Sequence, residues 1–390
     1  MEPGPALLRE DRQGPLPRPL GRGAPLLSYD LAVVGLGIVG ACATYAAAKT
    51  GARVIALDPA PGAGTSRTSF AWINANRKEP EAYHRLNAEG MAAHRDLVRE
   101  LGDGLGHHAG GSLEWATGAE ASAELRARVQ RLAQRAYAAS SVTRDRALTL
   151  EPGLAIPPDV REVAFYGDEA WLDAPRAVRT LLDAATTRGA EVRLGAVTVR
   201  REGQRVVAVA AEGPIDARAV LLCVGPVTQA FLAPLGVMMP VDQVYGLLAV
   251  TSPVSAPLTR VVHAPGVHLR GDAGGGLLLG ADDLDGPMVR EATPAGRAEI
   301  AARMLERAAG VFPAAEKAEI VEIRVGARPM PGDGHTIAGR LPGLENGWMI
   351  ATHSGVTLGP LLGRLLADEI AHDRSSALLE PFRPARFLRA

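Results

Sequence analysis

The chain has 390 residues, of which 47% are hydrophobic and 22% charged, and its formal net charge is −1 at pH 7. A chain of this length buries a large core, and we expect two domains. The near-neutral charge argues against a nucleic-acid partner or an acidic membrane surface. The two cysteines, Cys42 and Cys223, lie in apolar runs, which predicts a cytoplasmic protein with neither disulfides nor a metal site.

The first residues, 1–28, are rich in Pro, Gly and Arg without a hydrophobic period, which predicts a disordered extension. No signal peptide is expected, because this stretch lacks an uninterrupted apolar run. Residues 31–48 and 219–241 carry no charge and are long enough to span a membrane. Glycines interrupt the first window and prolines the second, so we expect buried core and no transmembrane segment.

A strand, a helix and a second strand are predicted in succession, over residues 31–34, 39–49 and 53–57. Gly35, Gly37 and Gly40 join the first strand to the helix as G-x-G-x-x-G, and Asp58 ends the second strand. Glycines at these positions allow a tight turn, close approach of a pyrophosphate and close helix packing, and the helix N-terminus favours phosphate. An acid at the end of the second strand suits a ribose. The stretch therefore predicts a dinucleotide site.

Residues 59–78 form a long loop of small and hydroxyl-bearing side chains, and such loops are commonly functional. Beyond it, hydrophobic spacing predicts helices and short strands. In chain order these are a helix over 79–101, a strand over 112–117, a helix over 119–138, a connector over 147–154, a strand over 163–166 and a helix over 173–188. The histidines of this part, His94 among them, form no ligand pattern and are expected to be surface or structural.

The middle of the chain is rich in strand signals. Strands are predicted over 192–194, 197–200, 206–211 and 217–224, and then over 241–251, 261–269 and 277–279. The apolar strand 217–224 precedes Gly225 and is typical of a central parallel strand that ends near a ligand. The later strands alternate with turns, which predicts an antiparallel sheet in a second domain. A helix over 299–311 and a strand over 318–327 follow.

A second organised site is predicted near the end of the chain. A strand over 348–352, a glycine-containing turn over 353–360 and a helix over 361–372 place a helix N-terminus where it favours negative charge. Before them, Arg328 lies in the rigid stretch GARPMPGDG and is suited to hold a carboxylate with two hydrogen bonds. The alternative is an ordinary ion pair, for example with Asp333.

Several motifs, in order, resemble the family of FAD-dependent amine and D-amino-acid oxidases, which includes the glycine and sarcosine oxidases. The resemblance extends over about residues 30–370. It is carried by DLAVVGLGIVGACATYAAAKTGARVIALD, GAGTSRTSFAW, EVRLGAVTV, AVLLCVG, RVGARPMPGDGHTIAG and NGWMIATHSGVTLGPLLGRLLADEI.

The resemblance implies an α/β fold with two domains. A discontinuous, Rossmann-like FAD-binding domain is expected over 29–80, 163–235 and 326–385. An antiparallel sheet is expected to carry the substrate in a second domain, over 81–162 and 236–325.

The same resemblance assigns the cofactor residues. FAD is expected to bind non-covalently, because Gly326 occupies the place where sarcosine-oxidase-like relatives attach the flavin through a cysteine. Together, the glycine motif and the resemblance assign cofactor binding to Gly35, Gly37, Ile38, Val39, Gly40, Asp58, Ser66, Arg67, Ser69, Val197, Gly225, Gly355, Val356, Thr357 and Leu358.

The activity implied is oxidation of a C–N bond in a small amine or amino acid, with hydride passing to flavin N5, hydrolysis of the imine and reoxidation by O2 to give H2O2. Arg328 matches the family's carboxylate-binding Arg, and Tyr245, His268 and Asn74 are candidates for the pocket wall. Tyr245 replaces an Arg of many relatives. Lys78 is the one lysine near the flavin loop.

Three alternatives remain open. A dehydrogenase of the same fold would pass electrons to a quinone or a carrier instead of O2. An NAD-dependent dehydrogenase fits the first motif alone but leaves HSGVTLGPLLG without a role. A flavoprotein that serves as a non-catalytic subunit is the third, and the intact Arg328 argues against it.

Overall fold

The computed structural model of the protein describes residues 28–388, so the predicted extension lies outside the described residues apart from Ser28. The strands are β1 (Tyr29–Val34), β2 (Val54–Asp58), β3 (Trp72–Ile73), β4 (His107–Ala109), β5 (Ser112–Glu114), β6 (Ala139–Thr143), β7 (Glu162–Tyr166), β8 (Ala170–Leu172), β9 (Glu191–Leu194), β10 (Thr198–Glu202), β11 (Arg205–Ala210), β12 (Gly213–Pro214), β13 (Ala217–Leu222), β14 (Val241–Thr251), β15 (Val261–Ala264), β16 (Val267–Gly271), β17 (Leu277–Gly280), β18 (Ile320–Pro331), β19 (Ile337–Arg340) and β20 (Gly347–Ala351). The helices are α1 (Ile38–Lys49), α2 (Glu81–Leu101), α3 (Ala119–Gln134), α4 (Arg144–Leu150), α5 (Ala174–Thr187), α6 (Thr228–Leu232), α7 (Pro287–Glu291), α8 (Pro294–Val311) and α9 (Gly355–His372).

One large sheet has the order β19-β20-β13-β1-β2-β9. Its strands are parallel except β19, which pairs antiparallel with β20. Leu31 and Val33 of β1 face a core that includes α1, α5 and α9, whereas Ala32 and Val34 face a second core that includes the small sheet β10-β11-β12. Burial on both faces explains why the strand reads as one apolar run.

The other large sheet has the order β18-β14-β17-β16-β15-β5-β7-β6. Its pairs are antiparallel except β15 with β5. Helix α8 packs its buried side chains into the core of this sheet. The architecture is the predicted α/β fold, with a Rossmann-like parallel sheet and a largely antiparallel second sheet.

The division into discontinuous domains stays a prediction, and the sheets depart from its boundaries, for example at strands β7 and β18. Strand β7 falls in the predicted cofactor segment 163–235 but pairs with β5 and β6 in the eight-stranded sheet. Strand β18 runs unbroken across the predicted boundary at 326. Sheet membership depends on partners far away in the sequence, which the local pattern of a short strand does not reveal.

Helix α9 begins at Gly355 and contains Pro360, so the predicted helix start at 361 was wrong. Proline lacks the amide that would bond the carbonyl four residues earlier, here that of Val356. His94 on α2 replaces it, because its Nε2 donates to Val356 O at 2.7 Å. Burial lowers the pKa of His94 to about 4, which keeps the ring neutral. A side chain from another helix thus allows proline inside α9.

The predicted connector over 147–154 is also partly helical, because α4 runs from Arg144 to Leu150. Thr143 starts this helix by accepting a hydrogen bond from the amide of Arg146 at 3.2 Å.

The single strand predicted over 261–269 was wrong, because these residues form two antiparallel strands, β15 and β16, joined by a turn at Pro265 and Gly266. The other predicted helices and strands differ from the observed ends by a few residues. Within residues 28–388, no helix has the length and the apolar character needed to cross a membrane.

Candidate active site

The larger of two adjoining cavities, about 710 Å³, lies at the carboxyl ends of the parallel strands. Its wall includes Gly35 after β1, Asp58 at the end of β2, Gly225 after β13 and Thr352 after β20. Strand β1 lies between β2 and β13, so the strand order reverses here. Ligands of open α/β sheets bind at such a reversal, because the adjacent loops diverge and leave a crevice.

The glycines of the first motif form a tight backbone cradle in this cavity. Gly35 has a φ of +92°, and a Cβ atom there would lie 2.6 Å from the carbonyl oxygen of Cys223. A Cβ atom on Gly40 would lie 1.8 Å from the carbonyl oxygen of Gly35. Side chains at either position would push the helix and strand apart, so both glycines are required by packing.

Two polar side chains bind backbone amides at the N-terminus of helix α1. Asp58 accepts hydrogen bonds from the amide of Leu36 at 2.6 Å and from that of Ala60 at 2.7 Å. The hydroxyl of Ser66 accepts a hydrogen bond from the amide of Ile38 at 2.9 Å. Each side chain therefore fixes a loop of the cradle while facing the cavity.

Most of the predicted cofactor residues line this cavity: Gly35, Gly37, Ile38, Val39, Asp58, Ser66, Ser69, Val197, Gly225, Gly355 and Val356. Gly40 packs behind the wall. Leu358 is fully buried under the start of α9, while its neighbour Thr357 reaches the second cavity. The structure does not bring Arg67 to either wall, because its guanidinium turns outward to Glu322 of β18 at 2.8 Å.

The second cavity, about 270 Å³, adjoins the first. The two walls share Thr65, Ser69, His353 and Val356. The remaining wall comes from loop 65–78, from strands β14, β15, β16 and β18, from the turn after β17 and from the start of α9. A ligand that extends along the first cavity therefore reaches the second at the N-terminus of α9, where the helix dipole favours negative charge.

Arg328 lines the second cavity, as predicted for a substrate-binding side chain, but it is paired. Its Nη2 lies 2.5 Å from Asp285 Oδ2, and Asp285 in turn accepts the amide of Leu247 at 3.0 Å. The alternative partner, Asp333, pairs with Arg386 instead. The Nε atom of Arg328 is buried without a hydrogen-bond partner among the described residues. One donor of this guanidinium is thus left for a ligand.

Of the three candidate wall residues, two line the second cavity and one does not. His268 and Asn74 lie in its wall. Tyr245 lies within strand β14 and is not part of the cavity wall. Its hydroxyl donates a hydrogen bond to Gln243 Oε1 at 3.1 Å. Successive strand residues face opposite sides of a sheet, so Gly246, not Tyr245, faces Arg328.

Three histidines in the wall of the second cavity are neutral. Burial lowers the pKa of His263 and, to a smaller extent, that of His268. His353 is exposed towards the cavities, yet desolvation by the surrounding protein and then the positive charges of Lys78 and Arg328 lower its pKa to about 4. The imidazoles therefore add hydrogen-bonding capacity and no charge near neutral pH.

A model of the family described as FAD dependent oxidoreductase matches residues 30–369. The chain belongs to this family. A glycine oxidase from Geobacillus kaustophilus is 27% identical to this chain over 372 residues, which cover 92% of this chain and 97% of the relative. A D-amino acid dehydrogenase from Xanthobacter autotrophicus is 32% identical over 255 residues, 58% of this chain and 57% of the relative. The crystal structure of glycine oxidase from G. kaustophilus superposes with a TM-score of 0.81 at 26% identity, covering 92% of this chain and 98% of the other.

The protein is therefore an FAD-dependent oxidoreductase, and FAD is its cofactor. The nicotinamide-dependent alternative is set aside. The larger cavity fits FAD: its glycine cradle leaves the backbone at the N-terminus of α1 open to a pyrophosphate, Asp58 stands at the end of β2, and the far end of the cavity meets the second cavity. Non-covalent attachment is supported at Gly326, where a Cβ atom would lie 1.9 Å from Thr68 Oγ1, leaving no room for a cysteine.

Sequence reasoning missed the acidic and aromatic side chains of this FAD-dependent oxidoreductase's second cavity. Asp282 and Asp285 line it from the turn after β17, and the motif DDLD directly after an apolar strand was the available signal. Trp72 lines it as well, with its ring centroid 4.0 Å from that of His263. Glu169 lies behind Trp72 and accepts its indole N–H at 2.9 Å. No local signal marks Glu169, since its partners come from three distant segments.

Proposed function

We propose that this FAD-dependent oxidoreductase oxidises the C–N bond of a small amine or amino acid that carries a carboxylate. The observation that carries this proposal is the second cavity, which adjoins the cofactor cavity. Its wall contains Arg328, whose Nε has no hydrogen-bond partner in the described part of the chain. Guanidinium groups bind carboxylates through several N–H donors. The name of the similar glycine oxidase supports the proposal, because glycine belongs to the proposed substrate class.

In this proposal Arg328 orients the substrate carboxylate, and the pair with Asp285 fixes the position of the guanidinium. The apolar part of the wall, with Phe70, Trp72 and Leu248, excludes water and favours the uncharged form of the substrate amine. The N-terminus of α9 favours negative charge at the junction of the cavities. Bound FAD would accept a hydride, which is two electrons and one proton, from the carbon of the C–N bond; with loss of a proton from the nitrogen this would leave an imine for water to hydrolyse, and O2 would take up the two electrons with two protons to give H2O2.

The test is the visible spectrum of the FAD-loaded protein under anaerobic conditions. We expect glycine, sarcosine, a D-amino acid or L-proline to bleach the flavin absorbance. A yellow protein that none of these compounds bleaches, at any concentration up to solubility, would contradict the proposed substrate class.

Arg328→Ala tests the proposed substrate contact. We expect KM for the bleaching compound to rise about 10- to 100-fold, because one charge-assisted contact to the carboxylate is lost. Arg364→Ala, which removes an exposed Arg from α9, is the control and should leave KM unchanged. An equal KM in both variants would remove Arg328 from substrate binding.

A dehydrogenase is the second candidate, since a D-amino acid dehydrogenase is 32% identical over 58% of this chain. Oxygen uptake with stoichiometric H2O2 supports the oxidase. Substrate-dependent reduction of a quinone or a dye, without oxygen uptake, supports the dehydrogenase. The cytoplasmic location stays a prediction.

A further inference from the structure

Three basic side chains line the second cavity, and two of them have a carboxylate partner. Arg328 contacts Asp285 at 2.5 Å, and Arg77 contacts Glu114 at 2.6 Å. The charge of Arg328 is therefore largely balanced within the protein, and that of Arg77 in part, because Glu114 also contacts Arg128 at 2.5 Å. A substrate carboxylate gains less from a cation whose charge is already neutralised at contact distance.

Lys78 is the third, and it has no such partner. Across residues 28–388, no Asp or Glu oxygen lies within 4 Å of its Nζ, and its side chain makes no hydrogen bond with any of these residues. The carboxyl that most affects its charge is Glu169, which is buried. Burial raises the pKa of Glu169 to about 8, so this group is mainly neutral at pH 7 and does not balance Lys78.

We propose that Lys78 is the main charge that binds the substrate carboxylate, with Arg328 setting its orientation. This inference rests on the proposed function and deepens it, because it assigns the main contact of the substrate carboxylate to Lys78. Lys78 is half-buried, and desolvation lowers its pKa, so its ammonium is partly removed from water without an anion at contact distance among the described residues. A carboxylate ligand would reduce the cost of this desolvation. Lys78 and Arg328 lie near the same point, because the positive charges of both lower the pKa of His353, which lies at the junction of the two cavities. One carboxylate at this point could therefore interact with both side chains.

The experiment compares Lys78→Met with the wild-type protein, both loaded with FAD. Acetate and benzoate, which cannot be oxidised here, are titrated against the flavin's visible spectrum to obtain Kd. We expect Kd to rise about 10- to 100-fold in Lys78→Met, the range for one lost charge-assisted hydrogen bond. Lys78→Arg should restore most of the affinity. Lys317→Met, at an exposed lysine outside both cavity walls, should leave Kd unchanged.

Steady-state kinetics give a second readout. In Lys78→Met, KM for a carboxylate substrate should rise with little change in kcat, while KM for the matching amine without a carboxylate should stay constant. An unchanged Kd for acetate and benzoate in a folded, yellow Lys78→Met protein overturns the inference. If flavin reoxidation is slower in that protein while Kd is unchanged, Lys78 acts in the reaction with the electron acceptor instead. If no amine bleaches the flavin but Kd still depends on Lys78, the proposed oxidation fails and the carboxylate site stands.

Discussion

A buried carboxyl group shapes the substrate cavity from behind. Glu169 is 1% exposed and accepts hydrogen bonds from Trp72 at 2.9 Å, from Tyr137 at 2.6 Å and from the hydroxyl of Ser112. Burial raises its pKa to about 8, although these three hydrogen bonds act in the opposite direction. Desolvation therefore outweighs hydrogen bonding, and Glu169 holds Trp72 in the cavity wall mainly as a neutral acid.

Glu169→Gln tests this protonation state. The carboxyl has a pKa of about 8 when folded and an ordinary value of 4.5, so its contribution to stability is complete below pH 4.5 and is lost as the pH rises through 8. We expect wild type to lose a few kcal/mol of unfolding free energy relative to Glu169→Gln from pH 5 to pH 8, at about 1.4 kcal/mol per pKa unit, because Gln does not titrate. Urea titrations at both pH values measure it. A difference independent of pH would show that Glu169 is ionised throughout.

At the scale of secondary-structure elements, helix α9 depends on its contact with α2. A Cβ atom on Gly90 of α2 would lie 2.7 Å from the carbonyl oxygen of Thr357, so only glycine allows this approach. One turn further along α2, His94 reaches the carbonyl that Pro360 leaves without a donor. Thr357 meanwhile donates to the carbonyl of Trp72 at 3.3 Å, which joins the start of α9 to loop 65–78. The helix N-terminus that faces both cavities is thus positioned by tertiary contacts.

A double-mutant cycle tests the compensation between His94 and Pro360. His94→Leu leaves the buried carbonyl of Val356 without a donor and should cost about 1–3 kcal/mol of unfolding free energy. In that background, Pro360→Ala restores an amide donor and should recover about 1 kcal/mol. Urea unfolding of the four proteins gives the coupling. Additive effects of the two substitutions would mean that the two groups do not replace one another.

At the scale of the whole molecule, the cofactor cavity joins segments that are far apart in the sequence. Its wall takes residues from 34–69, 196–197, 223–231 and 350–356, and Pro329 of β18 completes it. The unfolded chain has no such cavity, so FAD binds the folded protein alone and stabilises all of these segments together.

Ligand-dependent stability checks this arrangement. At a free FAD concentration 100 times Kd, the unfolding free energy should rise by about 2.7 kcal/mol over the cofactor-free protein, with a higher Tm. NAD at the same concentration is the control and should leave Tm unchanged. An equal rise in Tm with both dinucleotides would mean that the cavity binds only the adenosine diphosphate part that they share. This result would weaken the assignment of the cavity to a flavin.

The cofactor cradle could be predicted from the sequence because its parts are contiguous. A strand, three spaced glycines, a helix and an acid follow one another within 29 residues, 30–58, and each constrains its neighbours through short-range sterics and hydrogen bonds. The second cavity could not be predicted to the same depth. Tyr245 was predicted for the cavity wall from the resemblance, whereas Gly246 faces Arg328, because the local pattern does not reveal which face of β14 meets the cavity.

The sequence by itself determined the βαβ unit, the α/β class, the resemblance to FAD-dependent oxidases and the choice of Arg328, all of which depend on periodicity or on contiguous motifs. The tertiary structure alone decided the charge state of the second cavity. Arg328 pairs with Asp285 rather than Asp333, and Lys78 has no carboxylate partner within residues 28–388. Ion pairs depend on distances between segments that the chain brings together only after folding. Burial of Glu169 and His94, which sets their protonation, is likewise a property of the assembled core.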